Sequence, residues 1–467
     1  MMQATGSLDS RIVMSMSLQT NLPDYGRTFP LYVPPIDWFF LIDDSPEYTM
    51  SFFLDLDFSG QLDQDIFQAA LEEALARHPL LFCVIELAKK NRLCWVPAPD
   101  KVPPVDWADG DVPMEFKNNG YIDIRTETGL RIWVRQSADS ARVTMQFHHS
   151  ACDGTGGYRF VGDLLGCYMK RLPSCEGKVE LGNFDTALLK VRRSKMRSIR
   201  IHDSGFKKLK IAIAEGWNHL STRTAPLRPP ATPPRSFVLP GMVKQEFSSG
   251  DLATLRTAAT SQGGTLNDLF LCKMFQAALK WNGPSTGSRK IRLLVPADMR
   301  DGQDFEIPAC NMTACTFVTK TIAQIQDEKR LMDLVIQDTL ALKNGAPQSA
   351  FVNALTSAME GTTMQKLLKY GGCLATGVFS NAGDPSRRFT GRLPKQRGKI
   401  ACDEFTLEAI TGVPPLRKHT RSTLSSSIYG RKLSFSLRCD PYLFGESDTK
   451  ELLELFCDQL RPLIDKA

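Results

Sequence analysis

His148-His149-Ser150-Ala151-Cys152-Asp153-Gly154 follows directly on Arg142-Val143-Thr144-Met145-Gln146-Phe147, and the junction of the two stretches decides how the chain folds. Residues 142–148 alternate polar and apolar side chains, the period of a β-strand. Val143, Met145 and Phe147 fall on one face, and the same count carries His149 onto that core-facing side. His148 falls with Arg142, Thr144 and Gln146 on the other. An imidazole delivered into an apolar interior stays neutral, as a general base at pH 7 must be. Asp153-Gly154 then breaks the strand and opens a helix. Gly154 permits a tight turn and leaves its backbone N–H approachable. Three roles are open to Asp153: orienting His149, capping the helix, or holding the loop through a cation. A lone histidine at a strand end is usually a satisfied structural residue. Two histidines, three free positions and Asp-Gly together arise by chance in a chain this long on the order of one time in a thousand.

Working outward, Leu130 to Gln136 reads as the partner strand, joined to the motif strand by the turn Ser137-Ala138-Asp139-Ser140. A helix starting near Gly156 follows the motif, with Phe160, Val161, Leu164, Leu165 and Tyr168 on its buried side. Upstream, Met50, Phe52, Leu54, Leu56 and Phe58 alternate as in a half-buried strand that Gly60 ends. Asp63 is placed to cap a helix striped with Ile66, Ala70, Leu71 and Ala74, which Pro79 stops. Leu80 to Glu86 and Leu93 to Val96 read as the next two strands.

Six prolines between Pro226 and Pro240 rule out helix or central strand there, so this stretch is expected to be an extended linker. It divides the chain into an N-terminal lobe (1–225), a linker (226–240) and a C-terminal lobe (241–467). The second lobe repeats the alternation of elements. Thr265 caps a helix carrying Leu266, Leu269, Phe270, Ala277 and Ala278; strands follow at Ile291–Val295 and Met312–Val318. A hairpin turning near Gly430 leads into Leu433, Phe435, Leu437 and Cys439, and Asp448 with Glu451 reads as the capping pair of the last helix. Interspersed strands and helices in both halves argue for α/β layers.

Length and composition restrict the function. At 467 residues, with 42% hydrophobic and 23% charged side chains, the chain has the make-up of an ordinary globular protein large enough to need no staple. No apolar run is long enough to cross a bilayer, and the first thirty residues lack the basic start and apolar block of a signal peptide. Twelve cysteines form no C-x-x-C pair, so neither a metal nor a redox motif is expected. They suit a reducing compartment, and the cytoplasm is the expected address. Of the net charge of +6, much comes from Lys190 to Lys210, with Arg192, Arg193, Lys195, Arg197, Arg200, Lys207 and Lys208. Three readings compete for this stretch: a solvated helix face or linker, a patch for an anionic partner, and contact with an anionic membrane surface. Nucleic acid is not expected, because aromatic residues do not alternate regularly with these charges (Phe206 alone lies among them) and no nucleic-acid motif accompanies them.

The His-His-x-x-x-Asp-Gly pattern resembles the signature of the CoA-dependent acyltransferase superfamily, which holds chloramphenicol acetyltransferase-like enzymes, peptide-synthetase condensation domains, wax-ester synthases, polyketide-associated acyltransferases and stand-alone alcohol acetyltransferases. Further landmarks resemble the family in its own order: Ala76-Arg77-His78-Pro79-Leu80-Leu81, Gly264-Thr265-Leu266-Asn267-Asp268, Val295-Pro296-Ala297-Asp298-Met299-Arg300 followed by Asn311, and Ser380-Asn381-Ala382-Gly383. Two departures stand out. Cys310 occupies a position often held by Gly, and the D-F-G-W-G segment of plant-type members is absent. The resemblance implies two similar α/β lobes in a V with a tunnel between them. It implies His149 as general base, the backbone N–H near Gly154 as oxyanion donor, and Asp153 in a structural pair with Arg300. His148 is structural at the site, and Ser380 and Asn381 line the tunnel from the second lobe. No tightly bound cofactor is implied; acyl-CoA is the expected co-substrate, with a carrier-protein thioester as the alternative and a silent binding member of the fold as another. A monomer acting on a small-molecule donor and acceptor is expected. Cys152, inside the motif, raises a covalent alternative, but it falls on the face opposite His149 and has no evident base.

Overall fold

Two mixed sheets carry the chain in the computed structural model, which describes residues 28–88, 92–197, 223–231, 239–287, 289–302, 304–359 and 361–465. The first sheet has the strand order Phe405–Val413, Ser51–Gly60, Ser140–His148, Leu130–Gln136, Val105–Asp109, antiparallel except for the last pair. Its register sets Phe52 beside Phe147 and Ser51 beside His148, so the motif strand ends at the start of the Ser51–Gly60 strand. Helices Gln64–Arg77 and Gly154–Met169 pack together over it, and Leu54, Leu56, Val143, Met145, Phe147 and Phe160 share their core. Asp63 caps the first of these helices by accepting from the Ile66 N–H at 2.8 Å.

The second sheet has the order Thr313–Lys320, Ile291–Asp298, Gly377–Gly383, Ser422–Tyr429, Lys432–Cys439, Met242–Phe247. Leu424, Leu433, Phe435 and Leu437 pack against helices Leu266–Asn282 and Glu446–Asp458. Thr265 and Asp268 form a full capping box at the start of the first of these helices. A small third sheet joins Leu31–Tyr32, Arg92–Pro97 and Cys83–Ala88, and helix Pro35–Asp43 follows its first strand.

Several elements depart from the sequence reading. The Ser51–Gly60 strand is buried on both faces over most of its length, because the second sheet lies against its outer face. There Lys244 Nζ pairs with Asp55 at 3.0 Å, and the Arg438 guanidinium lies 5.5 Å from the centre of the Phe53 ring. The helix expected to start at Asp448 starts at Glu446, with Gly445 as its cap. Asp448 accepts from the Gly445 N–H at 2.7 Å, and Glu451 is simply the next turn. Strand Phe405–Val413, from the far part of the sequence, completes the first sheet rather than the second. Residues 226–231 and 239–240 form no helix or strand, and Pro233 and Pro234 lie outside the described residues. The basic stretch begins within helix Leu188–Arg197, where Arg192 is buried and ion-paired instead of solvated. Most of its other basic side chains lie outside the described residues.

Helix Gly154–Met169 meets the backbone of Cys310 at Gly156, where an added Cβ would lie 2.8 Å from the carbonyl oxygen and 3.0 Å from the nitrogen. Backbone cannot swing away as a side chain can. Gly156→Ala is therefore expected to cost about 1–3 kcal/mol, read as a lower Tm; an unchanged Tm would contradict the close approach.

Candidate active site

The His149 imidazole stacks on Phe40 of helix Pro35–Asp43, with ring centres 3.9 Å apart and planes 15° from parallel. Phe52 meets it edge-on at 5.3 Å. The backbone holds it from both ends: the His149 N–H donates to the Met50 carbonyl at 2.7 Å, and its carbonyl accepts from Asn311 Nδ2 at 2.8 Å. Nδ1 is buried without a hydrogen-bond partner, while the residue as a whole is half-buried and lines a cavity of about 140 Å³. The opposite ring edge, with Nε2, is thus the one left to the cavity. Burial pulls the imidazole pKa down to about 4, against the opposing pull of the Asp153 charge and of its own backbone carbonyl. The group is neutral throughout the physiological range.

Asp153 is committed elsewhere. Its carboxylate receives both guanidinium arms of Arg300, at 2.8 and 3.0 Å, together with the N–H groups of Gly156 at 2.8 Å and Met312 at 2.7 Å. Arg300 and these N–H groups hold the carboxyl below its ordinary range although burial opposes them. Among the described residues no hydrogen bond joins Asp153 to the His149 ring. Arg300 also donates to the Cys310 carbonyl at 2.8 Å and to Asp298 at 3.0 Å. Position 310 contributes its carbonyl, which any residue supplies, and its sulfur adds a longer contact to Arg300 at 3.9 Å. His148 is fully buried away from the cavity. Its Nδ1 accepts from the Ser150 N–H at 3.1 Å, and its Nε2 lies 3.3 Å from Asp44.

Asp153 caps helix Gly154–Met169 with its side chain and accepts the Gly157 N–H with its carbonyl, leaving the first two N–H groups, on Gly154 and Thr155, beside the cavity they line. Space beyond the Gly154 Cα is open for 4 Å. Ser380 and Asn381 line the same cavity from strand Gly377–Gly383, and Ser425 stands beside Ser380 in register. The Asn381 carboxamide oxygen accepts from the Gly383 N–H at 2.9 Å, and its nitrogen donates to Asn267 at 3.3 Å. Cys152 is fully buried, it is not among the residues that line the cavity, and burial pushes its thiol well above the ordinary range, all of which count against the covalent alternative.

Two groups were not found from the sequence. Phe40 lies on a helix whose signal was Pro35 at the first helical position ahead of an apolar run. Asp37, on the same helix, accepts from Arg192 at 2.5 Å and from the Trp95 indole at 2.9 Å, all three fully buried. Burial outweighs these partners and raises the Asp37 carboxyl to about 6. The Ser150 hydroxyl donates to the Asp37 carbonyl at 3.0 Å, so the motif loop is tied to the helix that carries Phe40. No local pattern could have paired residues 37 and 192.

No protein-family model matches the sequence, and no curated protein sequence matches it. Solved structures do match its fold. The TRI3 trichothecene 15-O-acetyltransferase from Fusarium sporotrichioides superposes with a TM-score of 0.68 at 11% identity, over 93% of this chain and 95% of that one. The starter condensation domain of rhizomide synthetase, solved in complex with C8-CoA, gives a TM-score of 0.62 at 14% identity over 97% of each chain. Polyketide synthase associated protein 5 from Mycobacterium tuberculosis gives 0.60 at 15% identity, over 93% of this chain and 99% of that one. With its two sheets meeting at the cavity of His149, the chain has the two-lobed fold of the CoA-dependent acyltransferases and condensation domains.

Proposed function

We propose that the protein is an acyltransferase that moves an acyl group from a thioester to a hydroxyl or amine acceptor, with His149 as general base. The observation that carries this reading is a neutral imidazole with one ring edge open to a cavity built from both sheets. A proton held on Nδ1, on the side of the His149 carbonyl, leaves the Nε2 lone pair for the acceptor. The acceptor donates its proton to Nε2 as it attacks the thioester carbonyl. The tetrahedral oxyanion then needs donors already in place, and the N–H groups of Gly154 and Thr155 at a helix N-terminus suit it. Collapse expels the thiolate, which takes the proton back from the imidazolium. Asp153 and Arg300 act by holding the motif loop against the second sheet, not by touching substrate.

The C8-CoA in the rhizomide synthetase domain supports acyl-CoA as donor, and a carrier-protein thioester is the alternative. The test is release of free thiol on mixing the protein with acyl-CoA or acyl-carrier protein and a panel of alcohols and amines. Thiol release that requires both donor and acceptor is expected, and its absence across both donors and the whole panel would refute the reading.

A pH profile gives a second expectation. With the base titrating near 4, kcat/KM is expected to stay level from about pH 5.5 to 8 and to fall only as pH approaches 4. An acidic limb centred near the ordinary histidine value of about 6.5 would contradict the buried environment. The linked effect on stability has the same sign. A histidine depressed by folding contributes stability that is full above about 6.5 and is lost as pH falls through about 4.

A further inference from the structure

The second sheet turns a polar face towards the first. Its register sets Thr423 opposite Arg438 and Ser425 opposite Ser436, with Lys244 beyond Ser436, so these residues share one face. The ion pair between Lys244 and Asp55 of the first sheet fixes that face as the inward one. On it, Arg438 is 5% exposed, and its Nε and Nη1 have no hydrogen-bond partner. Asp440 attracts it but is bonded elsewhere, accepting from the Tyr48 hydroxyl and the Tyr442 N–H, both at 3.1 Å. Among the described residues no carboxylate forms an ion pair with Arg438.

Its position is as telling as its lack of partners. Arg438 lines a cavity of about 10 Å³ with Glu47, Tyr48, Thr49 and Asn119, room for a single oxygen-sized group. Glu47 and Tyr48 also line a second cavity of about 780 Å³ that extends past Asp44, Tyr121 and Lys369. On the other side of the guanidinium lies Phe53, which lines the His149 cavity. Arg438 therefore stands between the large cavity and the site. Thr423, opposite Arg438, is two residues from Ser425 in the wall of the His149 cavity, about 7 Å at the rise of a strand.

A guanidinium taken out of water with donors unpaired is costly, and an anionic oxygen beside it offsets part of that cost. We propose that Arg438 is the recognition group for a carboxylate-bearing ligand that enters through the larger cavity. One carboxylate oxygen fills the small cavity and accepts from the guanidinium, and the body of the ligand lies in the larger cavity, past Glu47 and Tyr48, which line both. A neutral amide can offer its carbonyl oxygen there but brings no charge to the buried cation, so the site discriminates acid from amide.

The test uses octanoate and octanamide as matched probes, with binding to the full chain followed by calorimetry. No thioester is present, so the outcome is independent of acyl transfer. Octanoate is expected to bind at least tenfold more tightly than octanamide, and Arg438→Met to abolish that preference while the far-UV spectrum is retained. Should the methionine variant not fold, Arg438→Gln, which keeps a hydrogen-bond donor without the charge, is expected to reduce the preference. A crystal soaked with octanoate is expected to show its carboxylate on Arg438. Equal affinities in the wild type, an undiminished preference in the variants, or the Glu47 carboxylate on Arg438 with octanoate elsewhere would each overturn the proposal.

Discussion

His149→Ala is expected to lower thioester-dependent transfer by about 10²–10⁴-fold, the usual contribution of a positioned general base. Thiol release under saturating donor and acceptor measures it. The backbone of residue 149 is held by Met50 and Asn311 independently of the side chain, so the loop has reason to stay in place when the ring is removed. What is lost is the ring between Phe40 and Phe52, a cavity that costs stability as well as activity. The two effects are separable. His149→Gln keeps bulk between the phenylalanines while offering no basic nitrogen, and it should recover stability without recovering turnover. Transfer unchanged in both variants would remove His149 from the chemistry.

The largest effect on stability is expected from Arg300→Ala. The Asp153 carboxylate is buried with four N–H donors around it, two of them from Arg300. Removing the guanidinium leaves a buried charge held by two backbone groups, a loss of about 3–5 kcal/mol. The pair spans two parts of the chain, since Arg300 also binds the Cys310 carbonyl beside Gly156, so the motif helix loses its clamp on the second half at the same time. Arg300→Lys keeps the charge but cannot reach Asp153 with two arms and Cys310 as well, and an intermediate loss is expected. The pH dependence identifies the cause. A carboxylate depressed by folding contributes stability that is full above the unfolded value of about 3.9 and is lost as pH falls through the lower folded value. Denaturant titrations of wild type and variant should therefore converge as pH drops below about 4. A constant gap down to pH 2 would point to lost packing instead.

How much of this was legible in the sequence depended on how local the cause was. The strands around the motif follow from period-2 alternation within a few residues, and the Thr265–Asp268 capping box is a four-residue signal that the structure contains whole. The Asp448 reading went wrong for a related reason. Spacing alone does not separate a capping residue from an acceptor three positions into the helix, and Gly445, with no side-chain oxygen, took the cap. Burial of the second strand face at Phe53 and Asp55 is set by what the second sheet brings against it, which no window of the sequence contains. The same holds at the site. His149 and Asp153 share one motif, whereas Phe40 and the Asp37–Arg192 pair are joined to it only through folding, over separations of about a hundred residues or more.

Strand Phe405–Val413 lies at the edge of the first sheet against Ser51–Gly60. During synthesis this has a consequence in time. The ribosome delivers residues 51–60 and 140–148 long before residue 405, so the early part of the chain must wait with a long, apolar strand edge unpaired. At elongation rates of ~5–20 residues per second, the delay from residue 148 to residue 413 is on the order of tens of seconds. Over that interval the nascent protein offers an open template to other chains. Its yield in a cell is therefore expected to depend on chaperone supply more than its finished stability would indicate.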